Sequence, residues 1–361
     1  MREMKVLWLA NIPSPYRVKF FNELGKYCEL MVLFEKKSSS ERDDSWKKFK
    51  TDNFKAVFLK GKSVGVAEAF CPSIIKYLNK EYNHIVVTNY SDPTGILAIL
   101  WMKLQRIPYE IEGDGAFPGK NIGIKTKIKA FLLQGATRCF STAKLHDVYY
   151  MQCGVKKEKI VRYPFTSISE KDLLENPVSD KEKQIIREKL DMKEKRIVLA
   201  VGQFIQRKGL DILIKAFNGV DKNFGLYIVG GKAPEQYISL AEGRDNIHFV
   251  DFMQPKVLKE YYMAADVFVH PTREDIWGLV INEAMANGLP VVTTDKCIAG
   301  LEMVMNNKNG YIVPVENVEK IRQAVNDCII NRDAFCKRVL RTAKNYTTEK
   351  MADAHMNAWR N

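Results

Sequence analysis

The chain predicts a pair of doubly wound α/β domains, each a parallel sheet with helices on both faces, and three observations carry that expectation. Apolar runs of strand length alternate with runs of helix length along both halves, which is the pattern of βαβ units and not of hairpins. A polar, lysine-rich stretch from about Thr166 to Glu194 separates the two series. The 361 residues also divide into about two domains at roughly 150 residues each.

In the first series Lys5–Ala10 reads as a buried parallel strand, Tyr16–Lys26 as a helix with Val18, Phe20, Phe21 and Leu24 at helical spacing, and Glu29–Phe34 as the next strand. Strands are expected over Ile85–Thr88, Tyr109–Glu112 and Arg138–Ser141, with helices over Ser73–Tyr82, Thr94–Gln105 and Ala143–Gln152. The stretch from Thr166 to Glu194 reads as a linker plus a solvated helix. The second series runs through strands Ile197–Val201, Phe224–Val229, Ile247–Phe249, Val267–His270 and Pro290–Thr293, with helices Leu210–Phe217, Pro255–Ala264 and Gly278–Asn287. Val318–Asn361 is helical in pattern, and its end carries Met351, His355, Met356 and Trp359 on one face for packing. The expected division is 1–170, 171–345 and a C-terminal helix, 346–361, returning to the first domain.

Composition narrows the class. Lys and Arg number 56 against 43 Asp and Glu, a formal charge of +13, beside 46% hydrophobic residues; disordered and fibrous chains do not look like this. The longest apolar run, Gly95–Met102, is far short of the roughly 20 residues that span a bilayer. The N-terminus lacks the pattern of a secretory leader, so the expected mature chain starts at Met1. Seven scattered cysteines without a C-x-x-C pair point to neither a disulfide framework nor a zinc site, and a reducing cytosol is the expected setting. A basic excess of this size fits nucleic acid, an anionic membrane face or acidic small substrates, and composition does not choose among them.

The chemistry is expected on loops after strands, because doubly wound sheets bind ligands outside the carboxyl ends of their strands, here in a cleft between two such domains. The first such loop is Gly202-Gln203-Phe204-Ile205-Gln206-Arg207-Lys208-Gly209. Arg207 and Lys208 either face water or, with the following helix N-terminus, hold a diphosphate. The second is Pro271-Thr272-Arg273-Glu274-Asp275-Ile276-Trp277-Gly278-Leu279, leading into a helix that carries Glu283 and stops at Gly288 and Pro290. Asp275 caps that helix or contacts a ligand. Glu283 is a surface charge or accepts from two vicinal sugar hydroxyls.

Together these two segments resemble the retaining glycosyltransferases of the GT-B fold, family four, the group one transferases. The shared pattern is a basic loop ending in Lys-Gly, then E-x7-E within G-L-x-x-x-E-A-M-A-x-G-x-P-V. The resemblance runs from about Arg196 to Pro314 and is weak before that. Two positions depart from it: Gln203 stands where an Arg commonly follows the Gly, and the first Glu of E-x7-E falls on Asp275, with Glu274 one position out of register.

The resemblance implies an acceptor domain, then a donor domain, and hexosyl transfer from a nucleoside-diphosphate sugar, a UDP-sugar first among them, to a glycan or lipid-linked saccharide of the cell envelope. Lys208 and Arg207 would neutralise the diphosphate, and Gly278 and Leu279 would offer it backbone N–H groups. Glu283 would hold the ribose and Asp275 the hexose. Gln203 and Trp277 lie on the same donor loops. Phe252, after the strand Ile247–Phe249, is a base contact or a core residue. In the first domain Ser14, Tyr16 and Arg17 follow the first strand on the acceptor side, with Arg17 facing an anionic ligand or solvent. Asp114, in Gly113-Asp114-Gly115, stands near the family's usual His and is either a catalytic group or a turn residue.

No cofactor is expected beyond the nucleotide sugar as co-substrate. No D-x-D triplet occurs and the five histidines have no ligand spacing, so a metal-bridged diphosphate is not indicated. Lys120–Leu133 interleaves four lysines with Ile124, Ile128, Phe131 and Leu132, the composition of either an interfacial helix at the inner face of an anionic membrane or an ordinary surface helix. An epimerase or phosphorylase of similar architecture would share the cleft. A nucleic-acid binder would explain the charge, but no RNP, zinc or helix-turn-helix pattern accompanies it.

Overall fold

A computed structural model describes residues 4–38, 49–119, 123–221 and 223–360. It separates into two compact units, residues 1–167 with 347–361, and residues 168–346. Unit 1 runs β1 (Lys5–Ala10), α1 (Pro15–Leu24), β2 (Glu29–Phe34), β3 (Lys55–Phe58), the short pair β4 (Lys62–Ser63) and β5 (Ala69–Phe70), β6 (His84–Val87), α2 (Pro93–Leu104), β7 (Glu110–Glu112), α3 (Ile124–Gln134), β8 (Cys139–Ser141), α4 (Lys144–Gln152) and β9 (Ile160–Arg162). Unit 2 runs α5 (Asp180–Lys189), β10 (Arg196–Val201), α6 (Leu210–Phe217), β11 (Phe224–Val229), α7 (Glu235–Leu240), β12 (Ile247–Val250), α8 (Pro255–Ala264), β13 (Val267–His270), α9 (Leu279–Ala286), β14 (Val291–Thr294), α10 (Ile298–Met303), β15 (Gly310–Val313), α11 (Val318–Ile330) and α12 (Arg332–Ala343). The last helix, α13 (Thr348–Arg360), belongs to unit 1.

Both main sheets are parallel throughout. Unit 1 has the strand order β3-β2-β1-β6-β7-β8-β9 and unit 2 the order β12-β11-β10-β13-β14-β15. Each reverses direction beside its first strand, the topological switch point where doubly wound sheets bind ligands. Strands covered by helices on both faces carry continuous apolar runs; accordingly, Val6 through Ala10 and Ile197 through Ala200 are buried.

Two expectations need correction, and three strands lie where none was expected. The helix expected over Ser73–Tyr82 is only a short 3-10 segment, Pro72–Tyr77, because the apolar residues there do not extend past Leu78 as a helical face. The helix in the linker, α5, is solvated on most of its surface but not throughout: Lys183 and Arg187 are 4% and 6% exposed and hydrogen-bond to the residues ahead of β13. The edge strands β3 and β15 and the three-residue β9 lie in stretches too short to show a strand period. No helix among the described residues is long and apolar enough to cross a membrane.

α13 fixes the C-terminus into the core of unit 1. Trp359 Nε1 donates to Glu110 Oε2 at 2.7 Å, and the same carboxylate accepts from Arg138 at 3.0 Å. His355 stacks on Phe140 with ring centroids 4.2 Å apart. Met351, His355 and Met356 are buried with Trp359, as the one-faced pattern of the tail requires.

Candidate functional site

In unit 2 the loops leaving β10 and β13 flank the switch point. Gly209 sits at φ +66°, and a Cβ there would strike the Pro271 carbonyl, so the first loop packs on the second only because this position is glycine. Arg273 N donates to Arg207 O at 2.8 Å, and Thr272 Oγ1 to the same oxygen at 2.9 Å. Arg273 also forks onto Asp211 of α6, at 2.9 and 2.8 Å, and reaches Glu316 at 2.7 Å. Neither loop hangs free.

Between them lies a charge cluster. Lys208 Nζ donates to Asp275 Oδ2 at 2.7 Å and His270 Nε2 to the same oxygen at 3.1 Å; a carboxylate only accepts, so the imidazole carries its proton on Nε2. Arg207 Nη1 is 3.8 Å from Asp275 Oδ1 and donates to Glu274 O at 2.9 Å, its side chain half exposed. Burial alone would raise the Asp275 carboxyl, but the hydrogen bond from His270 and the Lys208 ammonium hold it well below the usual carboxylate range. Burial pushes the His270 imidazole down, against the pull of Asp275, which keeps it neutral near pH 7. Asp275 is further tied by its backbone, its N–H to Lys296 O at 2.8 Å and its carbonyl to Ile298 N at 3.1 Å.

Gly278, at φ +103°, begins α9, and a Cβ there would lie 2.8 Å from Cys297 Sγ. The N–H groups of the first turn of α9, starting with Gly278 and Leu279, supply the orphan donors and dipole that favour an anion. Glu283 faces α8, where the buried Tyr262 hydroxyl donates to its Oε2 at 3.0 Å. Phe252 is 59% exposed after β12, so it is not core. Gln203 is exposed on the first loop. Trp277 is a correction: it is 2% exposed and its Nε1 donates inward to Asn282 Oδ1 at 2.8 Å, so the indole packs the loop and presents no face to a donor.

Unit 1 holds a second constellation at the exits of β1 and β7. Arg17 is 3% exposed; it donates to Glu112 Oε1 at 2.8 Å and to Asp114 Oδ1. It therefore faces neither solvent nor an anionic ligand, because two carboxylates already occupy its fork. Tyr16 OH donates to Asp114 Oδ2 at 3.1 Å, and Ser14 is buried beside them. Burial raises the Asp114 carboxyl, Arg17 pulls it back and Glu112 raises it again, leaving it above its ordinary value. Its side chain keeps 29% of its surface exposed.

Sequence reasoning placed Lys208, Asp275, Gly278 and Asp114 on the segments that follow strands, and Glu283 within the helix after Gly278, where the structure has them. It missed His270, Glu112 and Tyr262 as partners. His270 ends a strand five positions before Asp275, a signal that was available. Tyr262 meets Glu283 only through the packing of α8 on α9, which no local pattern records. Among the described residues no group of three or more His, Cys, Asp or Glu is arranged to hold a metal.

Two Rossmann-like units of this order define the chain as an α/β protein of the GT-B class. Residues 182–346 match the family model described as glycosyl transferases group 1. It is 36% identical over 123 residues to the lipopolysaccharide glucosyltransferase WaaG of Escherichia coli K12, covering 32% of each chain. Over 162 residues it is 30% identical to a GDP-mannose-dependent phosphatidylinositol monomannoside mannosyltransferase of Mycobacterium tuberculosis, covering 41% of this chain and 42% of that one. The matches thus span about a third to two fifths of those relatives. Whole-chain likeness is structural: Anabaena HepE, solved in complex with UDP and glucose, has a TM-score of 0.78 at 15% identity, with 99% of each chain covered. The WaaG structure gives 0.64 at 16%, covering 98% of this chain and 99% of that one.

Proposed function

We propose that the protein is a glycosyltransferase moving a hexosyl group from a nucleoside-diphosphate sugar to a hydroxyl of a glycan or lipid-linked saccharide in cell-envelope polysaccharide synthesis, with retention. The observation that carries this reading is the Lys208, Asp275 and His270 cluster beside the Gly278 helix start, within the residues that match group 1. As the glycosidic bond breaks, negative charge grows on the diphosphate, where Lys208, Arg207 and the N–H groups of α9 stabilise it. These cations take the place of a bridging metal, so donor binding requires none. Asp275 holds Lys208 in place and contacts the hexose, Glu283 takes the ribose hydroxyls, and Phe252 offers an exposed ring to the base. UDP is the favoured nucleotide, which the UDP complex of the HepE neighbour supports.

Unit 1 receives the acceptor. Asp114, oriented by Tyr16 and Arg17, is the carboxylate for its hydroxyl, and its raised proton affinity suits a group that takes a proton in the reaction. The enzyme works in the cytoplasm at the inner face of the plasma membrane. On α3, Leu132 and Leu133 are buried in the core while Ile128 and Phe131 are 53% and 56% exposed, and on α2, which meets α3, Leu100 and Leu104 are 44% and 73% exposed. Lys103 stands 3.8 Å over the Phe131 ring and Lys127 is exposed. An apolar strip with basic flanks suits an anionic lipid surface. Lys120, at the start of the expected segment, lies outside the described residues, as do the side chains of Ile124 and Lys125.

The test is thermal unfolding with UDP, GDP, ADP and TDP in the presence of a chelator. A ligand at 100 times its Kd adds about 2.7 kcal/mol, and UDP is expected to give the largest shift. No shift with any of the four, or shifts only after metal is restored, would remove this reading of the site.

A further inference from the structure

In unit 1 a single cation serves two carboxylates. Glu112 ends β7 and Asp114 follows two positions on, and both meet the guanidinium of Arg17 in the first turn of α1. Arg17 divides its fork between them: Nη1 lies 2.8 and 2.7 Å from the two oxygens of Glu112, and Nη2 donates to Asp114 Oδ1. The Glu112 side chain has no exposed surface, and Thr88 Oγ1 donates to its Oε2 at 3.2 Å while itself accepting from Trp8 Nε1 at 2.8 Å. Tyr163 OH donates to Gly113 O at 3.0 Å, which fixes the backbone between the two carboxylates. Asp114, at the outer end, has one Arg17 nitrogen and the Tyr16 hydroxyl, with 29% of its side chain exposed.

The charges around this group do not balance. Arg17 supplies one positive charge against two negative ones. His146 on α4 and His355 on α13 also face Glu112, but burial pushes both imidazoles down, His146 to about 4, so neither is charged near pH 7. Burial also keeps the Tyr16, Tyr150 and Tyr163 hydroxyls protonated. An uncompensated carboxylate costs most where water is excluded, so the guanidinium's charge is committed inward, to Glu112. Accordingly Arg17 and the hydrogen bonds hold Glu112 below its ordinary value despite burial, while Asp114 lies above its own although it touches the same cation. An aspartate that had the arginine to itself would lie below.

We propose that Glu112 is a positioning residue for the transfer reaction: by holding the inner half of Arg17 it fixes the guanidinium against Asp114 and leaves the second negative charge there unanswered. This rests on the reading of Asp114 as the carboxylate for the acceptor hydroxyl. Thr88 and Trp8 complete the support, since they hold Glu112 from the side away from Arg17's outer nitrogen.

Carbon-13 NMR of aspartate carboxyl groups in the full chain, with the Asp114 signal identified by its loss in Asp114→Asn, tests the proposal. In the unaltered protein Asp114 is expected to titrate above 3.8, and in Glu112→Gln about one pH unit or more lower than that. A midpoint at or below 3.8 in the unaltered protein overturns the proposal whether or not the variant folds, and so does an unmoved midpoint in folded Glu112→Gln. Hydrolysis of UDP-glucose, with water as the acceptor, supplies the functional readout. In Glu112→Gln the acid limb of kcat is expected to move down with the Asp114 midpoint while KM for UDP-glucose stays the same; a limb that does not move overturns the positioning role. Asp114→Asn is expected to lower turnover about tenfold or more. Undiminished turnover there overturns the reading of Asp114, and with it the part of Glu112 in the transfer, even where both NMR midpoints fall as expected.

Discussion

At the scale of single residues, Lys208 and Gly278 make opposite kinds of demand. Lys208 is a charge held at 2.7 Å from Asp275, so it stands ready without reorganising when a diphosphate arrives. Lys208→Ala is expected to lose a charge-assisted hydrogen bond to the nucleotide, roughly 1.5 to 3 kcal/mol, or ten- to a hundredfold in UDP affinity by calorimetry. An unchanged Kd would place the diphosphate elsewhere. Gly278 is a backbone demand: φ +103° is a region side chains rarely enter, and Cys297 Sγ leaves no room for a methyl group. Gly278→Ala is expected to cost about 1 to 3 kcal/mol, read as a lowered Tm. Cys297→Ala in the same chain should recover only the steric part, because the φ strain persists.

At the scale of elements, α5 shows where pattern reading stops. Its sequence, Asp180-Lys181-Glu182-Lys183-Gln184-Ile185-Ile186-Arg187, reads as a solvated face, and its capping box at Ser179 and Glu182 gives its start correctly. Nothing local reveals that Lys183 and Arg187 turn inward, since the carboxylate they answer, Asp266, is some 80 positions along the chain. The core strands were legible because burial on both faces forces apolar runs. The edge strands β3, β9 and β15 and the Arg17 to Glu112 pair were not, because each depends on a partner distant in sequence. The Asp266 cluster has a measurable pH signature. Burial alone would raise that carboxyl, yet Lys183 and Arg187 bring it from 3.8 to about 2. With the folded value below the unfolded one, its stabilisation is complete above about pH 4 and is lost as pH falls toward 2, on the order of 2 kcal/mol in all. Asp266→Asn is expected to destabilise the protein at pH 7 and to flatten the acid limb of its stability curve; an unaltered acid limb in chemical denaturation would contradict the assignment.

At the scale of the whole molecule, the proposed membrane contact would let the net charge of +13 act through the exposed residues of α2 and α3. Each lysine near an anionic leaflet contributes about 1 kcal/mol. Replacing Lys127 and Lys129 with Gln and Phe131 with Ser is therefore expected to lower binding to anionic vesicles at least tenfold in sedimentation. Binding to neutral vesicles should be weak for both proteins. Equal sedimentation of the two proteins with anionic vesicles would exclude the strip from membrane contact. The return of α13 to unit 1 has a different kind of consequence, for the order in which the protein is made. Trp359 and Glu110 are 249 positions apart, and the whole of unit 2 is translated between them. At roughly 5 to 20 residues per second, unit 1 leaves the ribosome with His84, Phe140 and Glu110 still uncovered and waits tens of seconds for the helix that closes it. Unit 2, continuous in sequence, has no such wait. The first half of the chain to be synthesised is thus the last to be completed, and nascent chains arrested before Thr347 should expose a protease-sensitive unit 1 beside a resistant unit 2.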